Sequence, residues 1–158
     1  MRAAHRGFSP CRARLGSSVS SESKASMPAK ITFIDRNFDD VVDLMVEARN
    51  YIAYGQPAEK TGLAPEEQLQ ISYETMRVTA RLVRAAAWLS IEKAVRNGEI
   101  TREDALGEEF ALTTVQACLD ETGPENEMLP KALRSLLDRS HRLYMRIVRL
   151  EALARESA

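Results

Sequence analysis

The stretch Tyr73–Val95, YETMRVTARLVRAAAWLSIEKAV, decides the fold because it runs without glycine or proline and is rich in helix-forming residues. Counting alanine and threonine, its apolar residues cover roughly 240° of the helix circumference, whereas a surface helix needs a stripe of about 100° or somewhat more. The pattern therefore predicts a helix at the centre of a bundle, packed between neighbours or shared with a second subunit. Small residues at 80 and 85–87 would permit close helix approach. We expect self-association, most simply as a homodimer.

The central helix has clear start and stop signals. Pro65 is expected to open it, with Glu66 and Glu67 at the positive end of the helix dipole. Nothing interrupts the pattern until Asn97-Gly98, a typical helix stop.

Two other long amphipathic helices flank the central one in the chain. Residues 31–55 place apolar side chains on one side and acids on the other, and Gly55 with Pro57 is expected to end that helix. Pro130 is expected to begin the last one, which runs to residue 156. The sequence predicts an all-α protein, a bundle of three long helices, with residues 31–155 as a single domain.

A short extra helix is expected between the second and third long helices. TRED, residues 101–104, resembles a capping box with aspartate in place of glutamate. It predicts a helical stretch through about Leu119, weakened at Gly107 and closed by Gly123-Pro124.

The first residues differ in composition from the rest. Residues 1–26 carry five basic side chains against the single acid Glu22 and lack hydrophobic periodicity. They have no apolar core of a secretory signal and only superficially resemble an organellar transit peptide. We favour an upstream extension preceding a start at Met27, and we expect a disordered arm over residues 1–30 in either case.

The sequence lacks the motifs that are typical of several functional classes. Cys11 and Cys118 are isolated and form no CxxC, which excludes a zinc ribbon and indicates a reducing compartment. No apolar run approaches the roughly 18 to 20 residues that span a bilayer. His5 and His141 have no partners that would form a metal or catalytic site. We expect a cytoplasmic protein that is not an enzyme, with no metal, cofactor or membrane partner.

One sector of the central helix carries Arg77, Arg81, Arg84 and Trp88 among its apolar positions. Arginine and tryptophan are enriched at interface hot spots, so these four residues are candidate partner-binding residues, with Arg84 able to stack on Trp88. The alternative is internal: Glu74 and the acidic face of the first helix would pair with the arginines inside the bundle. The internal alternative is slightly favoured.

The last helix carries a basic stripe in which Arg142 and Arg146 are further candidate partner-binding residues. Such a stripe can track phosphates, which would make the protein a nucleic-acid-binding regulator. No aromatic, Asn or Gln cluster accompanies it to read bases, and residues 27–158 are net acidic. A solvated face or an acidic protein partner is the better interpretation.

The central stretch Tyr73–Val95, the NGEI that follows and LPKALRSLLDRSHRLYMRIVRLEALA at residues 129–154 closely resemble the RcdA family of alphaproteobacteria, the regulators of CtrA degradation. The resemblance covers roughly residues 33–153 and is most specific in the central helix. It is carried there by Ser72, Glu74, Met76, Arg77, Thr79, Arg81, Leu82, Trp88 and Leu89.

The resemblance implies a dimeric three-helix bundle without enzymatic activity, acting as an adaptor in regulated proteolysis. Its partners would be the ClpXP protease primed by a response regulator, together with client proteins or a second adaptor. Family members extend into a tail beyond the last helix, whereas this chain stops eight residues after Leu150.

Overall fold

The computed structural model describes residues 27–112 and 115–157. Three long helices form it: α1 (Met27–Asn50), α3 (Pro65–Asn97) and α6 (Lys131–Glu156), with α3 packed against both of the others. The described part contains no strand, which confirms the all-α three-helix bundle. The predicted disordered arm lies outside the described residues up to residue 26. Residues 27–30 belong to α1, and the domain boundary at residue 31 stays a prediction.

Shorter elements connect the long helices. Between α1 and α3 lie a π-helical turn (Tyr51–Gly55) and α2 (Gln56–Lys60). Between α3 and α6 lie α4 (Arg102–Ala105), a 3₁₀ turn (Glu108–Phe110) and α5 (Gln116–Leu119).

The first helix does not end at Gly55-Pro57, which corrects that prediction. The chain stays helical through the π-helical turn and α2 as far as Lys60. Pro57 lies in the first turn of α2, where its missing N–H leaves no hydrogen bond unmade. A Cβ on Gly55 would lie 2.9 Å from Cδ2 of Tyr51, so glycine leaves room for that ring, whose hydroxyl donates to Glu59 at 2.6 Å.

Both ends of α3 form where the sequence predicts them. At the start, the Glu67 carboxylate accepts a hydrogen bond from the backbone N–H of Ala64 at 2.9 Å. At the end, Gly98 takes a left-handed conformation with φ of 75°, and the next N–H reaches back to Ala94 O at 2.9 Å. Glycine reaches this φ without the steric cost that a side chain adds.

The segment between α3 and α6 is less regular than predicted. The Thr101 hydroxyl caps α4 by accepting from the N–H of Asp104 at 3.1 Å, as expected. That helix ends at Ala105, because the chain turns at Leu106-Gly107 and folds back over α3 and α6. The predicted continuous stretch to Leu119 is therefore wrong.

The core lies where the three long helices meet. All three supply apolar side chains that are at most 2% exposed: Val41, Ile71, Val78, Leu82, Leu89, Leu133, Leu137, Tyr144 and Ile147. Within the described ranges, no helix has both the length and the hydropathy that crossing a membrane requires.

Candidate interaction surfaces

The first two arginines of the predicted sector lie inside the fold. Arg77 and Arg81 are 4% and 1% exposed. Arg81 donates through Nε to Cys118 O at 2.9 Å and through a terminal nitrogen to Asp120 O. Arg77 donates to the backbone and hydroxyl oxygens of Thr122. The guanidinium groups therefore hold the main chain that follows α5, and a partner does not reach them in this conformation.

Acidic side chains complete this buried cluster. Arg77 pairs with Glu74 at 2.5 Å and with the Asp120 carboxylate at 2.8 Å. Burial raises the pKa of Glu74 against the opposing pull of Arg77, and burial lowers the pKa of Arg81 to about 10. Hydrogen bonds from Thr122 lower the pKa of Asp120. The arrangement is an internal network that fastens an irregular segment.

The internal alternative for Arg77 and Arg81 is thus the one that the structure supports, but with other partners than expected. Glu74 takes part as predicted, whereas the acids of α1 do not contribute to this cluster. Backbone carbonyls and Asp120, about 40 residues along the chain, take their place. These partners lie in the connection between α4 and α6, residues 106–112 and 115–130, which we call the covering segment. Periodicity cannot identify them, because this segment has no regular pattern.

Trp88 and Arg84 also face the covering segment. Trp88 is 4% exposed and belongs to the core, in agreement with the internal alternative for this sector. Arg84 is half-buried and donates to Ala111 O at 2.5 Å. Both side chains line a small cavity of about 70 Å³ together with Phe110. Stacking of Arg84 on Trp88 stays a prediction.

The basic stripe of α6 remains on the surface, where acids of α1 partly neutralise it. Arg146 pairs with Asp40 at 2.6 Å, and Arg139 makes a two-point ion pair with Glu47. These pairs cross an open groove of about 330 Å³ between α1 and α6. Exposed ion pairs contribute little stability, so both helices keep their charges available for a partner.

Arg142 is the most exposed of the paired arginines on this stripe. Its side chain is 70% exposed and contacts Asp138 one turn earlier on the same helix. A nucleic-acid phosphate approaching the stripe would meet the carboxylates of Asp40, Asp43 and Glu47 along the same groove. An acidic protein partner would meet the same carboxylates, so the groove is a surface of mixed charge.

A second surface, which we call the α3 seam, is apolar. It consists of Leu69, Tyr73, Met76, Ala80, Val83 and Ala87. Leu69 and Met76 are 70% and 71% exposed, and the six positions alternate in steps of four and three residues. That is the spacing of a coiled-coil contact line. An apolar groove of about 160 Å³ runs beside it between α1 and α3, lined by Met45 and Leu82 among others. The sequence signalled this surface through the wide apolar arc of α3.

The protein is a three-helix bundle whose buried charges fasten its own chain and whose exposed apolar and charged faces suit protein contacts. A profile described as "Protein of unknown function (DUF1465)" matches residues 26–158. The crystal structure of RcdA from Caulobacter crescentus CB15 is 32% identical in sequence, with a TM-score of 0.59. The match covers 74% of this chain and 86% of that one. No curated protein matches significantly.

The chain belongs to the RcdA family. This confirms the resemblance drawn from Tyr73–Val95 and from residues 129–154.

Proposed function

We propose that this protein is a non-enzymatic adaptor in regulated proteolysis, which helps deliver transcription or cell-cycle regulators to the ClpXP protease. The observation that carries the proposal is membership of the RcdA family, whose name refers to degradation of CtrA. The structure supports it with two surfaces on one bundle. One is the α3 seam, and the other, which we call the α1–α6 face, consists of Asp40, Asp43, Glu47, Arg139, Arg142 and Arg146. A cytoplasmic location follows from this role.

The proposed mechanism is tethering. The adaptor would bind the response-regulator-primed protease with one surface and a client or second adaptor with another. Holding both on one small bundle raises the effective concentration of the client at the protease without any new contact between them. Charged residues at the α1–α6 face would make these contacts sensitive to salt.

We assign the α3 seam to self-association. Two seams packing against each other would bury side chains such as Met76 and Val83, which are 71% and 50% exposed in the single chain. Ala80 and Ala87 would let the helices approach closely. Light scattering coupled to gel filtration should give the mass of two chains for the natural protein and of one for a Met76→Glu, Val83→Glu variant.

A matched control separates the seam from apolar exposure in general. Leu153 on α6 is 57% exposed and lies outside the seam, so Leu153→Glu should remain dimeric. A seam variant that is folded and still has the mass of two chains would contradict the assignment.

We assign partner binding to the exposed stripe residues Arg142 and Arg146. The test is a pull-down from native lysate, followed by degradation of the recovered client with purified ClpXP and response regulator. The natural protein should recover ClpX and shorten the half-life of the client. Arg142→Glu with Arg146→Glu should weaken recovery and slow degradation, because acidic partners would now meet like charge.

Arg36, an exposed arginine on α1 outside the stripe, provides the control variant Arg36→Glu, which should behave like the natural protein. Wild-type degradation rates with the doubly reversed variant would refute the stripe assignment. Failure of the natural protein to recover ClpX or to accelerate degradation would refute the adaptor role itself.

A further inference from the structure

The open groove between α1 and α6, which we call the α1–α6 groove, holds more acid than base. Its charged lining consists of three carboxylates and two guanidinium groups: Asp40, Asp43, Glu47, Arg139 and Arg146. Both guanidinium groups are engaged, one by Asp40 and the other by Glu47. Within the part of the chain that the structure describes, the carboxylate of Asp43 has no hydrogen bond or ion pair. The groove therefore lacks one positive charge.

The floor of the groove is apolar. Leu44 on α1 and Leu143 on α6 line it, and each is 7% exposed. The two ion pairs that bridge the helices start at Asp40 and Glu47, about 10 Å apart along the axis of α1. Lysine and arginine lay a hydrocarbon stem on apolar surface and keep the charged head at its edge. The space between the bridges suits one such side chain, with its head beside Asp43.

The acceptors for this head group are already in position. Asp40 uses one carboxylate oxygen for Arg146, and its other oxygen has no partner among the described residues. Asp43 follows three positions later, so the two carboxylates are neighbours on the same side of α1. The ion pair with Arg146 holds Asp40 in place before a ligand binds, and such preorganisation lowers the entropic cost of binding. A single cationic head can therefore bind both carboxylates.

Other ligands match this groove less well. An anion would find both guanidinium groups engaged and the carboxylate of Asp43 beside them. Over the described ranges, no three His, Cys, Asp or Glu side chains are grouped so that they could hold a metal ion. The two leucines of the floor favour a cation with a hydrocarbon stem over a bare ion.

The rim of the groove adds a second charge preference. Arg142 is 70% exposed and lies on α6 one turn from Arg139 and one turn from Arg146. Its ion pair with Asp138 is exposed and contributes little free energy, so an incoming acid can compete for the guanidinium. A ligand that carries acids next to its cation therefore satisfies the rim as well as the groove.

We propose that the α1–α6 groove binds one lysine or arginine side chain of a partner protein, in a segment where acids flank this residue. The stem lies on Leu44 and Leu143, and the head binds Asp43 and the free oxygen of Asp40. A flanking acid binds Arg142. This inference deepens the proposed assignment of the α1–α6 face to partner binding and rests on it, but it requires neither the protease nor a client.

The test is a titration of isotopically labelled full-length protein with a short synthetic peptide, followed by NMR chemical shifts. The peptide holds one lysine between two glutamates in an otherwise alanine sequence. Its net charge is negative, like that of the protein, so general charge attraction does not favour binding. Amides near Asp43 and Leu143 should shift together, with a dissociation constant in roughly the millimolar range because only one side chain is anchored.

Two changes remove the central ion pair and keep the shapes of its partners. Norleucine in place of the peptide lysine keeps the stem without the charge, and Asp43→Asn removes the charge on the protein. Each should weaken binding at least about threefold. Asp43 makes no side-chain contact among the described residues, so Asp43→Asn should fold like the natural protein, as circular dichroism would show. Asp39→Asn is the matched control: Asp39 is exposed on α1 outside the groove lining, and its loss should leave binding unchanged.

Several results would overturn the proposal. These are no binding of the lysine peptide, equal binding of the norleucine peptide, unchanged binding by Asp43→Asn, or an equal loss with Asp39→Asn. n-Butylamine carries the head and stem without a peptide and should bind more weakly than the peptide does. Equal binding would identify the occupant as a free amine and overturn its assignment to a protein.

Failure of the groove and failure of the adaptor role give different results, because the titration contains no protease. If the natural protein recovers ClpX from lysate but does not bind the lysine peptide, only the groove proposal is refuted. If it binds the peptide through Asp43 but neither recovers ClpX nor accelerates degradation, only the adaptor role is refuted.

Discussion

Replacing Arg81 with alanine tests the assignment of this residue to the interior. The side chain is 1% exposed and reaches the carbonyl of Cys118 in α5, that of Asp120 just after α5, and that of Leu137 on α6. Alanine leaves the first two without their donor, and each buried orphan acceptor costs about 1–3 kcal/mol. Relief of the desolvation that lowers the pKa of Arg81 to about 10 offsets part of this loss. We expect a net destabilisation of about 2–4 kcal/mol.

That loss is large against the roughly 5–15 kcal/mol of a typical domain and is measurable by urea denaturation. Far-UV circular dichroism follows the helices, and Trp88, the only tryptophan, reports on the core from its buried position. All variants are compared at one protein concentration, because association shifts apparent stability. Arg142→Ala is the matched control: its side chain is 70% exposed, so it should change the free energy of unfolding by less than about 0.5 kcal/mol.

Arg81→Lys refines the result, since lysine keeps the charge but not the fork that reaches several acceptors at once. It should recover only a minor part of the loss. If Arg81→Ala unfolds within about 0.5 kcal/mol of the natural protein and with the same denaturant slope, then the guanidinium does not fasten the segment after α5.

Three further predictions follow from single contacts. Tyr144→Phe removes the hydroxyl that donates to Leu112 O at 2.5 Å and should cost about 1–2 kcal/mol in urea unfolding. Gly98→Ala has space for its methyl group, but φ of 75° should cost about 1 kcal/mol through backbone strain alone, with CD unchanged at low urea. The hydrogen bond from Arg139 lowers the pKa of Glu47, so this pair stabilises the fold above the ordinary pKa of glutamate and loses that effect as the pH falls through the lowered value. Glu47→Gln should therefore reduce the acid-side loss of stability by about 0.2–1 kcal/mol, and an unchanged pH profile between pH 3 and 6 would contradict the pairing.

The three long helices were predictable from the sequence because each buries a continuous apolar face with helical period. The stop at Gly98 was predictable for a similar reason, since a left-handed residue after a helix is a local requirement. The continuation of the helix past Gly55 was not predictable. Glycine followed closely by proline normally predicts the end of a helix, but here a π-helical turn places Pro57 in the first turn of α2, where proline is tolerated. The irregular course of the segment that covers Trp88 was not predicted, since its contacts join residues far apart in the chain.

The arginines show most clearly what spacing leaves undecided. Arg77 and Arg81 on α3 recur at helical spacing, as do Arg142 and Arg146 on α6. The first pair is buried against carbonyls and acids, and the second is exposed beside carboxylates of α1 and α6. The difference comes from the covering segment. Because this segment is irregular, its backbone carbonyls are not paired within a helix, and the long side chains of Arg77 and Arg81 on α3 donate hydrogen bonds to them. Among residues 27–112 and 115–157, no segment covers the outer stripe of α6 in this way.

Enrichment in arginine and tryptophan is therefore weak evidence for a partner surface on a helix that borders a long connection. The same residue types can also bind or pack against a loop of their own chain. On α3, Arg81 donates a hydrogen bond to Cys118 O, and Trp88 is buried in the core. A large apolar side chain that is exposed in register, such as Met76 in the α3 seam, is the stronger sign, because no packing among the described residues explains its position. Substitutions at buried Arg81 should accordingly lower stability and every activity together. Substitutions at Met76 should change association while leaving the unfolding of the separated chains nearly unaltered.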